Sequence, residues 1–172
     1  MSVFTSVQRL DNRILLWSLK HRDRQAVIRM VRLVSTSGDG YAQAATIVLL
    51  AIFDQQAVAY AFTVLLLVER SIYWLLKNTL KRPRPHEQFP SFQSVIEASD
   101  RFSFPSGHTS AAFLLAATLS PVLLTTSAFW LAPLLFVWAT GVAASRVLLG
   151  VHYPTDTVAG AALGLSVAAA GL

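Results

Sequence analysis

The chain has no cysteine, which excludes disulfides and thiol chemistry and leaves the redox compartment unreadable. Charge is scarce as well. Asp, Glu, Lys and Arg make up 13% of the 172 residues, about half of the roughly 25% carried by an ordinary soluble domain. Acidic residues are the rarer sign, 9 against 14 basic, for a net charge of +5. The place of charge is taken by apolar residues, 54% of the chain, with a mean hydropathy of +0.53. An integral membrane protein is the expectation. Its basic excess then points to anionic lipid or phosphate rather than to nucleic acid.

The N-terminus lacks an uninterrupted apolar run, so no signal peptide is expected. Apolar residues there recur at helical spacing, Leu10, Ile14 and Trp17, then Val27, Met30, Val31 and Val34, with Arg and Lys between them. That pattern predicts amphipathic helices over 1–36, lying at the membrane interface or packed on the bundle. "STSGDGYAQ" (35–43) reads as a turn and helix start, with Asp39 or Gly40 as cap. Five apolar segments follow, at 41–53, 57–76, 108–124, 128–145 and 157–172. Several fall short of the ~20 residues a spanning helix usually needs. Ala, Gly, Ser and Thr crowd the last three, as close helix packing in lipid requires. The polar stretch 77–104, with prolines at 83, 85 and 90 and another at 105, predicts an ordered irregular loop. One all-α membrane domain over 1–172 is expected, with about five spanning helices in 37–172.

Alternating spans place three polar clusters on one face. They are "KNTLKRPRP" from Lys77, "PSGH" ending at His108, and "SRVLLGVHYPTD" from Ser145 to Asp156. Together they supply cations, two histidines, a carboxylate and a Ser-Gly turn at a helix start. Guanidinium groups grip phosphate oxygens in pairs, and a helix N-terminus adds N–H donors. One imidazole can attack phosphorus while another protonates the leaving oxygen. A carboxylate on the nucleophile's second nitrogen fixes its tautomer. His152 and Asp156 stand four apart, with Pro154 between them where a first helical turn tolerates proline.

The clusters resemble the tripartite signature of the type 2 phosphatidic acid phosphatases, the lipid phosphate phosphatases. K-x6-R-P falls at 77–85, P-S-G-H at 105–108 and S-R-x5-H-x3-D at 145–156. The resemblance implies hydrolysis of a lipid phosphate or diphosphate without metal or other cofactor. His152 resembles the nucleophile that becomes phosphohistidine, Asp156 its orienting partner, and His108 the general acid and then base. Lys77, Arg84, Arg146, Ser106 and Gly107 resemble the phosphate clamp. The implied partners are the bilayer and a phosphorylated lipid. Undecaprenyl diphosphate is placed slightly ahead of phosphatidylglycerol phosphate and phosphatidic acid. Soluble acid phosphatases and vanadium haloperoxidases share the signature, but the apolar segments argue against both. A non-catalytic lipid-phosphate scaffold is the rival outside enzymes.

Outside the motifs, Glu69 and Arg70 are expected to pair structurally within the second segment. Lys81 and Arg82 are weighed as contacts to a substrate headgroup. Asp54 is expected in a solvated turn, and His21 and His86 at the surface. Thirteen of the 14 Lys and Arg, all but Arg70, fall on the expected side of the active site. By the positive-inside rule that side is cytoplasmic, in a bacterial inner membrane.

Overall fold

The computed structural model describes residues 3–20, 25–89, 93–98 and 100–171. Among them the chain is all-α, with eight helices: α1 (Val3–Lys20), α2 (Gln25–Ser37), α3 (Tyr41–Ile52), α4 (Gln56–Leu80), the single turn α5 (Pro85–Gln88), α6 (Gly107–Leu124), α7 (Leu131–Leu148) and α8 (Pro154–Gly171). The five apolar segments become α3, α4, α6, α7 and α8. Their ends shift by a few residues, because helices continue into polar flanks wherever those flanks find partners. Three stretches are long and apolar enough to cross a membrane: Gln56–Gln88, Gly107–Leu124 and Leu131–Leu148. The expected five spans are therefore matched by three on length and composition. The 12-residue α3 rises only about 18 Å, and α8 does not reach the same hydropathy.

α6, α7 and α8 form the centre. Small residues set their spacing. A side chain at Gly160 would overlap the Ser106 carbonyl, and one at Gly164 the Ser110 carbonyl. The backbones of α6 and α8 are thus nearly in contact beneath the polar clusters. Phe62 and Leu65 of α4 pack with Leu114 and Leu115 of α6 and Val167 of α8. Ala112 and Ala116 pack with Ala139 and Val142 of α7.

One expectation is sharpened and one corrected. In α1 the residues turned inward are Asp11, Leu15 and Ser18, while Leu10, Ile14 and Trp17 face outward. The polar partners of Asp11 in the bundle decide the rotation of this helix. The stretch 77–104 is not irregular throughout, since α4 runs on to Leu80 and ends at Lys81 in the left-handed conformation (φ 48°). The cap of α3 is Gly40 (φ 95°), and its neighbour Asp39 makes no capping bond because it is engaged elsewhere. Asp54 does sit exposed in a turn (φ 57°), and His86 is exposed. His21, Arg22, Arg24 and Pro90 lie outside the described residues.

Candidate active site

The three clusters meet at one end of α4, α6, α7 and α8. A main-chain bond joins two of them: the Ser106 N–H donates to the Asp156 carbonyl at 2.9 Å. Arg84 joins the first cluster to the third by donating from Nη1 to the Val151 carbonyl at 2.5 Å. Lys77 Nζ lies 3.5 Å from the Pro105 carbonyl, against the second.

α8 begins at Pro154 and holds Asp156 in its first turn. Asp156 Oδ2 accepts the Tyr153 N–H at 2.8 Å and stands 3.5 Å from His152 Nδ1. That Nδ1 makes no hydrogen bond at this separation. Catalytic bonds are often long before substrate is bound. His152 is fully enclosed, and burial pushes its imidazole down to about 4, so the ring is neutral at pH 7. A neutral imidazole keeps the lone pair an attacking nitrogen needs.

Ser106 opens α6, and His108 stands in its first turn, where the backbone N–H groups have no carbonyl of their own helix to meet. His108 Nε2 pairs with Asp39 Oδ1 at 2.5 Å, which orients the ring from the α2–α3 turn. The Ser106 hydroxyl is fully buried and pairs with Thr109 Oγ1 at 2.9 Å. The contribution of this segment to an anion therefore comes from the helix start rather than from a free serine hydroxyl. A side chain at Gly107 would press on the Tyr73 ring.

The clamp cations are all buried. Lys77 and Arg84 share Asp100, at 2.9 and 2.6 Å. Burial raises the Asp100 carboxyl, but the Tyr73 hydroxyl and the two cations outweigh it and bring it down to about 2. Arg146 donates from Nη1 to Ser35 Oγ at 2.6 Å, while its Nε has no protein partner. A buried guanidinium with an unused donor beside two further cations suits a phosphoryl group.

Four residues around the site escaped the sequence reading. Asp100 neutralises part of the clamp, and Asp39 holds His108. Tyr73 donates its hydroxyl to Asp100 Oδ2 at 2.6 Å and accepts from Lys77 Nζ at 2.7 Å. Asp11 of α1 meets Arg82 at 2.6 Å, and Arg82 in turn pairs with Asp156 Oδ1 at 2.6 Å. Asp11 also accepts the Thr155 N–H at 3.0 Å. Arg82 thus braces the carboxylate beside His152 instead of reaching outward, and it stacks on Tyr153 at 4.1 Å. Glu69 and Arg70 do pair, as expected, and Arg70 also donates to the Gly107 carbonyl at 2.9 Å.

The geometry is that of an anion-binding site at one end of a membrane helix bundle. The sequence profile of the PAP2 superfamily matches residues 43–172, and the chain belongs to that superfamily. It is 37% identical over 102 residues to decaprenylphosphoryl-5-phosphoribose phosphatase of Mycobacterium tuberculosis, covering 59% of this chain and 52% of that protein. With phosphatidylglycerophosphatase B of Escherichia coli it is 40% identical over 84 residues, 49% of this chain and 32% of that one. The chain thus spans about half or less of the length of these curated relatives. The fold is that of the transmembrane PAP2 type phosphatidylglycerolphosphate phosphatase from Bacillus subtilis, with a TM-score of 0.84 at 24% identity over 96% of this chain and 84% of that one. LpxE of Aquifex aeolicus superimposes with a TM-score of 0.81 at 23% identity over 94% of each chain. The protein is an integral membrane protein with helical spans.

Proposed function

We propose that the protein is a metal-independent phosphatase that hydrolyses a lipid phosphate or diphosphate through a phosphohistidine. The observation that carries this reading is the convergence of Lys77, Arg84 and Arg146 on the segment holding His152, with His108 opening the adjacent helix. The cations and the start of α6, at Ser106 and Gly107, hold the phosphoryl oxygens. His152 attacks phosphorus as the bond to the lipid oxygen breaks, and that oxygen takes a proton from His108. Asp156 stabilises the positive charge on the His152 ring. His108 then removes a proton from water, the water oxygen bonds to phosphorus, and the P–N bond breaks to release phosphate and restore both rings.

The clamp reads phosphate and is silent about the lipid, so undecaprenyl diphosphate, phosphatidylglycerol phosphate and phosphatidic acid all belong in the test. The names of the relatives add phosphorylated sugar and glycerol lipids to the candidates. Phosphate release by detergent-solubilised protein, wild type beside His152→Ala, tests the reading. Turnover on at least one lipid, unaffected by EDTA and abolished in the variant, is expected. Turnover that persists in His152→Ala, or that EDTA abolishes, sinks it.

The proposal includes a bundle in which α3 and α8 cross beside the three more apolar spans, making five, all within one domain. The outward Leu10, Trp17, Met30 and Leu33 of α1 and α2 rest in the interface. The cation excess on the site's side puts that side in the cytoplasm of a bacterial cell.

A further inference from the structure

A cavity of about 630 Å³ opens beside His108, a size suited to part of a small-molecule or lipid ligand. Its site end is lined by Asp39, Gly107, His108 and Arg146, and its far side by Ala44, Ile47, Leu66 and Ala111. Gln43 of α3 lines it between these two ends of opposite character. That side chain is 2% exposed, yet neither Nε2 nor Oε1 has a hydrogen-bond partner in the protein. A buried amide left in this state is destabilising, because it has given up water without gaining a partner. An Ala or Leu would fill the position without that cost, so the amide calls for a ligand.

Gln43 stands four residues past Asp39, the partner of His108. Asp39 lies in the turn just before the cap Gly40, and Gln43 in the first turn of α3, so both stand at the same end of that helix. In the phosphatase reading, on which this inference rests, the leaving oxygen faces His108. The next atoms of the leaving group then enter the cavity toward Gln43. The amide offers a donor and an acceptor, and both are unused. A hydroxyl can accept from Nε2 and donate to Oε1 together. A second phosphate accepts only, and leaves Oε1 unpaired. A bare hydrocarbon satisfies neither atom.

We infer that Gln43 is a specificity-determining residue that reads a hydroxyl on the leaving group, so that the preferred substrates are lipids phosphorylated on a polyol. Phosphatidylglycerol phosphate, monoacylglycerol phosphates and sugar-based lipid phosphates carry such a free hydroxyl, whereas phosphatidic acid, with both neighbouring hydroxyls acylated, and a prenyl diphosphate do not.

The test uses 1-oleoyl-glycerol 3-phosphate and its 2-deoxy analogue, which differ by one hydroxyl beside the phosphorylated carbon, together with farnesyl diphosphate. Phosphate release gives kcat/KM for the solubilised full chain. Wild type is expected to favour the hydroxyl-bearing lipid over its analogue by about tenfold, the worth of one net hydrogen bond, and over farnesyl diphosphate. Gln43→Leu is expected to bring the ratio within the pair close to one while leaving kcat/KM on the deoxy analogue intact. Gln43→Met, closer in shape, repeats the test should the leucine variant not fold. Equal rates within the pair in wild type, preference for the diphosphate, or a uniform fall on both lipids in the variants overturns the inference while the phosphatase reading stands. No release from any of the three overturns both.

Discussion

His152 is neutral because it is buried, and this sets how the protein responds to acid. Its pKa in the folded chain, about 4, lies below the ordinary 6.5. The neutral ring thus contributes stability that is whole above pH 6.5 and fades as pH falls from there toward 4. The acid limb of kcat/KM reports the free enzyme's essential base, so activity should fall with a midpoint near 4. A midpoint at 6.5 would mean that the nucleophile is solvated. A second residue-scale prediction concerns Arg82, which lies between two buried carboxylates. Arg82→Met leaves the Asp11 and Asp156 carboxylates buried without their shared cation and should cost about 3 kcal/mol in unfolding free energy. Adding Asp11→Asn should recover part of that loss. Denaturant titration of the single and double variants reads both values, and additive losses would show that the three groups are not one network.

The helices were legible in the sequence because apolar runs, prolines and small residues are local signals. Pro154 announces the start of α8, and the crowding of Gly and Ala announces how closely α8 meets α6. The motif residues were legible because their spacing along the chain is itself the signal. Asp39, Asp100 and Asp11 were not, since each acts on a partner distant in sequence: His108 is 69 positions from Asp39, and Arg82 is 71 from Asp11. Nothing local separates such a carboxylate from a solvated one. The buried stripe of α1 was not legible for the same reason, because Asp11 and Ser18 lie in it beside Leu15. Close packing yields a prediction at this scale. Gly164→Ala would bring a methyl against the Ser110 carbonyl and to 2.8 Å from the Leu114 nitrogen. It should cost about 1–3 kcal/mol and lower the unfolding temperature in detergent. Gly141→Ala, whose nearest neighbour would be a Val34 methyl at 3.5 Å, should be neutral or slightly stabilising.

At the scale of the molecule, the contacts of Asp11, Ser35 and Asp39 tie α1, α2 and the start of α3 to the end of the bundle that holds the site. With five crossings the C-terminus then emerges on the opposite face. A C-terminal reporter active only in the cytoplasm should stay dark, and one that lights up would reverse the orientation. The backbone bond from Ser106 to Asp156 has a consequence of its own. It couples the segment carrying His108 to the segment carrying His152 through main chain, with no side chain to flex between them. The two imidazoles therefore keep their spacing as a single mechanical piece. The His108 ring is also held from the turn at Asp39, so a substitution in that turn would reach the proposed chemistry and the cavity wall together.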